Sequence, residues 1–377
     1  MLGTIVDSDT VYINGIEIGN TCYRYPPRIY PCDNLLKKGK NRIVIRVTCF
    51  NGDGGITKDK PFRIISSLQD ADNESIELSG VWKYKIGAVA GVRPPEFFFQ
   101  RQATGNYNAM IAPLLKFPMK GVIWYQGESN DKNPHEYSEL FKKMILDWRK
   151  TYDKEQRILS KEPGTENNER ITFSCEKKLE KNFLLTFLFV QLPIFGSMTE
   201  TYEEASWAVL REAQASALSL PLTGMAAALE AGEWNDIHPL NKKDIGYRLF
   251  LAADKILFGT DNTSPGPVVR EKRTGNNGQK IFIYFDNCGS GLVINSLITN
   301  SYGFSETGMK DTAHVTVIGS EGQARLPVKI EGNDAVSIDI SSVPNPKKIL
   351  YALADNPCDR HLFNSEGLPV IPFRIEI

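Results

Sequence analysis

The chain has no apolar run long enough to cross a bilayer. Its most apolar stretch, Phe183 to Val190, has the length of a strand and is followed by Gln191, Leu192 and Pro193. Pro193 stops it, so it reads as a buried strand of a parallel sheet. There is no excess of either charge: 44 Lys and Arg against 45 Asp and Glu leave a formal net charge of −1. That balance argues against binding nucleic acid or an anionic membrane surface, both of which need a basic field. The six cysteines, at 22, 32, 49, 175, 288 and 358, form no Cys-x-x-Cys pair, which argues against zinc or dithiol redox chemistry. Cys22 and Cys32 could form a disulfide in an exported protein; separate thiols are the competing expectation. The first residues carry neither a basic n-region nor a signal-type apolar region, and no internal repeat is visible. Histidine is scarce, with four in 377 residues, so each can be weighed individually.

What is present divides into three patterns. Residues 1 to about 65 read as an all-β module. Thr10 to Ile13 and Ile16 to Gly19 flank Asn14-Gly15, a strong hairpin dipeptide. Asn41 to Val47 alternates polar and apolar residues like a half-buried strand. A connecting segment, 66–103, follows. From about 104 to 264 strand-length apolar runs alternate with helical periodicity, the mark of an α/β sheet. The expected strands are Gly121–Tyr125, Leu184–Val190 and Thr223–Leu229. The expected helices are Pro134–Lys150, Trp207–Leu218 and Lys242–Leu257. Residues 154–181 are polar and read as a long surface insertion. From 265 to 377 the pattern is β again, with strands expected at Lys280–Phe285, His314–Ile318, Ala335–Ile340 and Lys348–Ala352, consistent with a small β-sandwich.

Two blocks could carry chemistry. In Gly121-Val122-Ile123-Trp124-Tyr125-Gln126-Gly127-Glu128-Ser129-Asn130 a strand ends and turns through Gly127. Polar side chains are thereby presented at the carboxyl edge of the sheet, where open α/β proteins bind ligands. Gln126 and the backbone beside it could donate to a developing oxyanion. The competing explanation is a polar strand-to-helix turn in which Ser129 or Asn130 caps the next helix. In Trp234-Asn235-Asp236-Ile237-His238-Pro239-Leu240-Asn241-Lys242 a histidine and an aspartate share a loop before a helix. Such a pair can act as general base and orienting carboxylate, since imidazole titrates nearest neutrality. Here the competing explanation is a helix-start loop, with Asp236 or Asn241 as cap and His238 merely exposed. His135, His314 and His361 read as structural. Ser129 lies at a strand-to-turn junction but outside any Gly-x-Ser-x-Gly context, so a nucleophile elbow is not signalled.

Taken together, the two blocks resemble the sialate O-acetylesterases, carbohydrate esterases of the SGNH-hydrolase type. Gly121 to Asn130 is similar to that family's GVIWYQGESN block, and Asp236-Ile237-His238-Pro239 to its DIHP block, continued by Asn241, Lys242 and Gly246. Tyr107 to Leu114, Val190-Gln191-Leu192-Pro193 and Asn364 to Arg374 resemble further family segments. Leu2 to Gly19 resembles the galactose-binding-like β module that the family inserts into its catalytic domain.

The resemblance implies a flavodoxin-like three-layer α/β domain flanked by two β-sandwich modules. It implies an acetylated sugar such as an O-acetyl sialic acid as substrate, no metal or organic cofactor, and a periplasmic or secreted setting. It gives His238 the role of the base that activates a serine, and Gln126, Gly127 and Glu128, with Ser129 and Asn130, the lining of the acyl pocket. Asp236 is the matching acid. The wider SGNH pattern places its aspartate three residues before the histidine, where this chain has Asn235, so a serine-histidine dyad stays open. The family's nucleophile lies in a Gly-Gln-Ser-Asn-Met block, and no such block occurs in these residues. The α/β domain is therefore expected to be incomplete and inactive by itself. The alternatives are a carbohydrate-binding protein without catalysis, or half of a split esterase whose serine comes from a separate upstream polypeptide.

Overall fold

The structure is a computed structural model. It describes residues 1–50, 54–58, 60–66, 75–91, 102–159, 185–199, 205–275, 278–294, 313–357 and 361–377. The chain divides into two compact units, Met1–Phe99 and Gln100–Ile377. Among the described residues no helix is long and apolar enough to cross a membrane.

The first unit is built on a three-stranded antiparallel sheet with Ser8–Ile13 between Ile16–Thr21 and Ile43–Thr48. The hairpin forms where Asn14-Gly15 predicts it. Both residues have positive φ, 53° and 91°, as the tight primed turns of hairpins require. The segment expected to be a connector contributes to this unit: Ser75–Glu77 pairs with Arg63–Ile65, so the unit runs past the expected boundary at 65. Beneath the sheet Arg28 is fully buried and donates from Nε to Asp9 Oδ1 at 2.6 Å and from Nη2 to the Ile5 carbonyl at 2.8 Å. Cys22 and Cys32 are separate free thiols.

The second unit opens with three parallel strands, Gly121–Trp124, Thr186–Val190 and Thr223–Ala226, with Thr186–Val190 in the middle. All five residues of the middle strand are buried, as the apolar run with its proline stop predicts. Helix α1, Pro134–Leu159, packs its Tyr137, Phe141 and Ile145 against Phe187 and Phe189. It continues beyond the expected end at Lys150, so residues 154–159, read from sequence as the start of a polar insertion, are helical; 160–181 lie outside the described residues. Helix α2, Ser206–Ala215, ends in a short 3-10 turn, Ser216–Ser219, and α3 spans Lys242–Phe258. Asn241 caps α3, its side chain accepting from the Asp244 amide at 3.3 Å. Gly259 closes the helix at a φ of 71°, a left-handed terminus that glycine takes without strain.

Two four-stranded antiparallel sheets complete this unit. Their orders are Val268–Gly275, Lys280–Asp286, Ala335–Asp339, Lys329–Glu331, and Gly322–Pro327, His314–Gly319, Lys348–Tyr351, Phe373–Glu376. Ile281, Ile283 and Phe285 from one sheet and Val315, Val317 and Ile349 from the other share one apolar core. These sheets do not stand apart from the α/β elements. The buried Arg211 on α2 donates to the Ala354 carbonyl, and the Trp207 amide donates to Asp355 Oδ1 at 2.9 Å. Residues 104–264 and 265–377, separable by pattern, fall within one compact unit, Gln100–Ile377.

Candidate functional site

All three parallel strands point their carboxyl ends the same way, so the loops that follow them share one edge of the sheet. After Trp124 the chain passes through Tyr125 and Gln126 to Gly127 and a 3-10 turn, Glu128–Asn130. This turn is held by side chains. Gln126 Nε2 donates to Asn130 Oδ1 at 2.9 Å. The Tyr137 hydroxyl, one turn into α1, lies 3.0 Å from the Gln126 carbonyl and 3.1 Å from its Oε1. The Gln214 amide donates to the Gln126 carbonyl at 3.0 Å and accepts from the Leu192 amide at 2.9 Å. Gln214 thereby ties the loop after the first strand to the loop after the second. A Cβ at Gly127 would meet Gln214 Nε2 at 3.0 Å and Leu192 Cδ1 at 3.1 Å, so a side chain there would push on both residues that hold the turn. One proton of the Gln126 amide remains uncommitted by these bonds. Asn130 is engaged by Gln126 and α1 starts only at Pro134, so the turn is more than a helix cap. Ser129 is exposed.

After the third strand the chain makes a second bonded loop. The Asp236 amide donates to the Glu233 carbonyl at 3.3 Å, and the buried Asp236 accepts from the His238 amide through Oδ1 at 2.8 Å. Glu233 Oε1 accepts from the Leu240 amide at 2.9 Å. His238 is exposed, while the backbone on both sides of it is pinned. Behind the loop the buried Arg248 of α3 donates to Glu230, to the Ala227 carbonyl at 2.6 Å and to the Gly367 carbonyl at 3.2 Å. His135, His314 and His361 lie outside this edge: on the first turn of α1, in the strand His314–Gly319, and beside the strand Leu362–Asn364.

The two blocks, more than a hundred residues apart in sequence, meet through α3. Lys242 Nζ stands 4.9 Å from the centroid of the Tyr125 ring. Tyr125 packs with Val190, Ala228 and Ile245. Lys242 also feels the carboxylates of Glu128, Asp236 and Glu233; burial lowers its pKa, and these three charges oppose that shift. Burial raises the Tyr125 phenol well above its ordinary range, and Glu128 adds to the effect.

No family model matches the chain. It is 30% identical over 175 residues to the sialate O-acetylesterase of Mus musculus, across 44% of this chain and 28% of that protein. With the sialate O-acetylesterase of Homo sapiens the figures are 29% over 168 residues, 43% and 29%. The crystal structure of a carbohydrate acetylesterase from Xanthomonas citri superposes with a TM-score of 0.55 at 32% identity, covering 71% of this chain and 53% of that one. The chain is thus similar, over part of its length, to sialate O-acetylesterases and to a carbohydrate acetylesterase. Its match spans less than a third of the length of the curated relatives.

The sequence reading missed Gln214 and gave Tyr137 only a core role. The signal for Gln214 was available: it follows Trp207 and Leu210 on the buried face of α2, where a lone amide among apolar residues marks an internal hydrogen-bonding duty. Replacing Gln214 by leucine strands the Leu192 amide without its acceptor. The expected cost is about 1–3 kcal/mol in urea unfolding, with faster hydrogen exchange at the Leu192 amide; unchanged stability and exchange would remove Gln214 from this role.

Proposed function

We propose that this chain is the base-bearing part of a carbohydrate esterase that removes O-acetyl groups from sugars by serine-histidine acyl transfer. On this proposal the parallel strands and α1–α3 belong to an SGNH-type hydrolase sheet, and the β regions on either side act as sandwich modules. The observation that carries it is the meeting of the Gln126–Glu128 turn with the Asp236–His238 loop around Lys242, 4.9 Å from the Tyr125 ring. Chemically, a serine hydroxyl attacks the acetyl carbonyl while His238 takes its proton. Donors at the Gln126–Gly127 turn receive the oxyanion. The tetrahedral intermediate collapses, the sugar oxygen leaves with the proton from His238, and water then attacks the acetyl-enzyme with His238 again as base. Asp236 is proposed to orient the imidazole; its Oδ1 already holds the His238 amide.

The serine is proposed to come from a segment outside these residues, in the same or a separate polypeptide. The sheet edge supports this. In a parallel sheet strands are covered on both faces and paired on both sides, yet Ile123 on the outer strand is 68% exposed. Among the described residues that strand pairs only with Thr186–Val190. Release of acetate from p-nitrophenyl acetate and from O-acetyl sialic acid, by the chain alone and with a polypeptide carrying the Gly-Gln-Ser-Asn block, tests the proposal. Turnover is expected only with both components. Enzyme-like turnover by the chain alone that disappears in Ser129→Ala would instead make Ser129 the nucleophile. Glycan binding without hydrolysis under any condition would favour a non-catalytic carbohydrate-binding protein.

A further inference from the structure

The charge and the aromatic surface at this edge bear on which sugar it takes. At this edge Lys242 senses three carboxylates, those of Glu128, Asp236 and Glu233. The neighbouring Glu230 is matched by Arg248. A ligand carboxylate brought to this edge would have to compete with three carboxylates for the Lys242 ammonium. The second observation is Trp234. It stands in the tight turn closed by the Asp236 amide on the Glu233 carbonyl at 3.3 Å, and its own carbonyl accepts from the Gly196 amide at 2.8 Å. The backbone is fixed on both sides, yet the side chain is 45% exposed. Among the described residues the indole stacks on no other ring. A large aromatic face held in water by a rigid turn, four residues before the proposed base, offers apolar area with a polar N–H at its rim.

Building on the esterase proposal, we infer that the preferred substrate is an uncharged acetylated pyranose, its C–H face stacked on Trp234, and that an anionic sugar such as a sialate is disfavoured. The stack holds the ring while an exocyclic acetyl group reaches toward His238. Selectivity against the anion comes from the carboxylates at the same edge.

The test is ligand titration followed by NMR of the tryptophan indole N–H signals, with that of Trp234 assigned by its loss in Trp234→Phe. Three probes are compared: an O-acetylated methyl glucoside, 9-O-acetyl-N-acetylneuraminic acid, and the methyl ester of that acid, which keeps the ring and loses the charge. The neutral glucoside and the methyl ester should shift the Trp234 signal and bind about tenfold more tightly than the free acid at low ionic strength. The gap should close near 1 M salt, where the screening length falls to about 3 Å. Trp234→Ala should lose the neutral ligands, and Trp234→Phe, which keeps a ring, should retain part of the affinity. Equal or tighter binding of the free acid at low salt overturns the inference, as does an unmoved Trp234 signal or full affinity in Trp234→Ala. Faster hydrolysis of the sialate ester than of the glucoside ester, by chain and serine-bearing polypeptide together, would sink this inference and leave the esterase proposal standing. Absence of hydrolysis of every ester would sink the esterase proposal, while the binding comparison would still be readable.

Discussion

His238→Ala, assayed with the chain and the serine-bearing polypeptide together, is expected to lower kcat/KM for an acetyl ester by about 10³-fold or more. A positioned general base typically contributes about 10²–10⁴-fold, and the same imidazole is proposed to serve both the acylation and the water step. The folded state should hardly notice. His238 is exposed and its backbone bond to Asp236 does not depend on the side chain, so the unfolding free energy in urea should fall by about 1 kcal/mol or less, far less than the loss in rate. Asp236→Asn separates the two arrangements that Asn235 leaves open. If Asp236 orients the imidazole, this isosteric change should also lower the rate by orders of magnitude. If a serine-histidine dyad operates, the loss should be far smaller. An unaltered rate in His238→Ala would end the assignment of the base.

The largest expected loss of stability among site-supporting residues is at Arg248. This buried guanidinium binds Glu230 and the carbonyls of Ala227 and Gly367. It thus joins α3, the segment that follows the third parallel strand, and the C-terminal region of the unit. Arg248→Met leaves the Glu230 carboxylate buried without its counter-charge and strips two carbonyls of a donor. Breaking a buried pair from one side costs about 3–5 kcal/mol, which would be read directly in urea unfolding. Adding Glu230→Leu removes the orphaned charge and should recover part of the loss, because an apolar pair can replace a buried ion pair at little cost. A double variant no better than Arg248→Met would show that the carbonyl contacts, rather than the ion pair, dominate at this position.

The sequence foretold the parts of the fold whose determinants are local. Asn14-Gly15 fixed a hairpin because few other dipeptides accept two positive φ values in succession. The apolar run ending at Pro193 marked the central strand because a parallel strand is covered on both faces. Helix α1 overran its expected end because the polarity of residues 154–159 was weighed as loop character, although charged residues continue a helix readily on a solvent face. The boundary read at about 265 is of a different kind. Whether two patterned regions share one body depends on long-range contacts such as Arg211 to Ala354 and Trp207 to Asp355, which leave no periodicity.

At the site the balance is similar. The two blocks were visible as strings of polar residues at the ends of strands. That they share one edge follows from parallel pairing, which requires successive strands to point the same way. The supports around them were harder to see. Gln214 lies 88 positions from Gln126, and Lys242 was noticed only as a continuation of the second block. Their contributions depend on which helix covers which loop, and helix placement is set by the packing of whole faces rather than by any short motif.

That the two blocks form a single site is tested most directly, and without requiring turnover, by a double-mutant cycle on Tyr125 and Lys242. Tyr125→Leu, Lys242→Met and the double variant are compared with the parent chain in urea unfolding. With the ammonium 4.9 Å from the ring centroid and partly shielded from water, the predicted coupling is about 0.5–2 kcal/mol. Additive effects, with coupling below about 0.3 kcal/mol, are what independent and distant residues show, and would contradict the convergence of the two blocks.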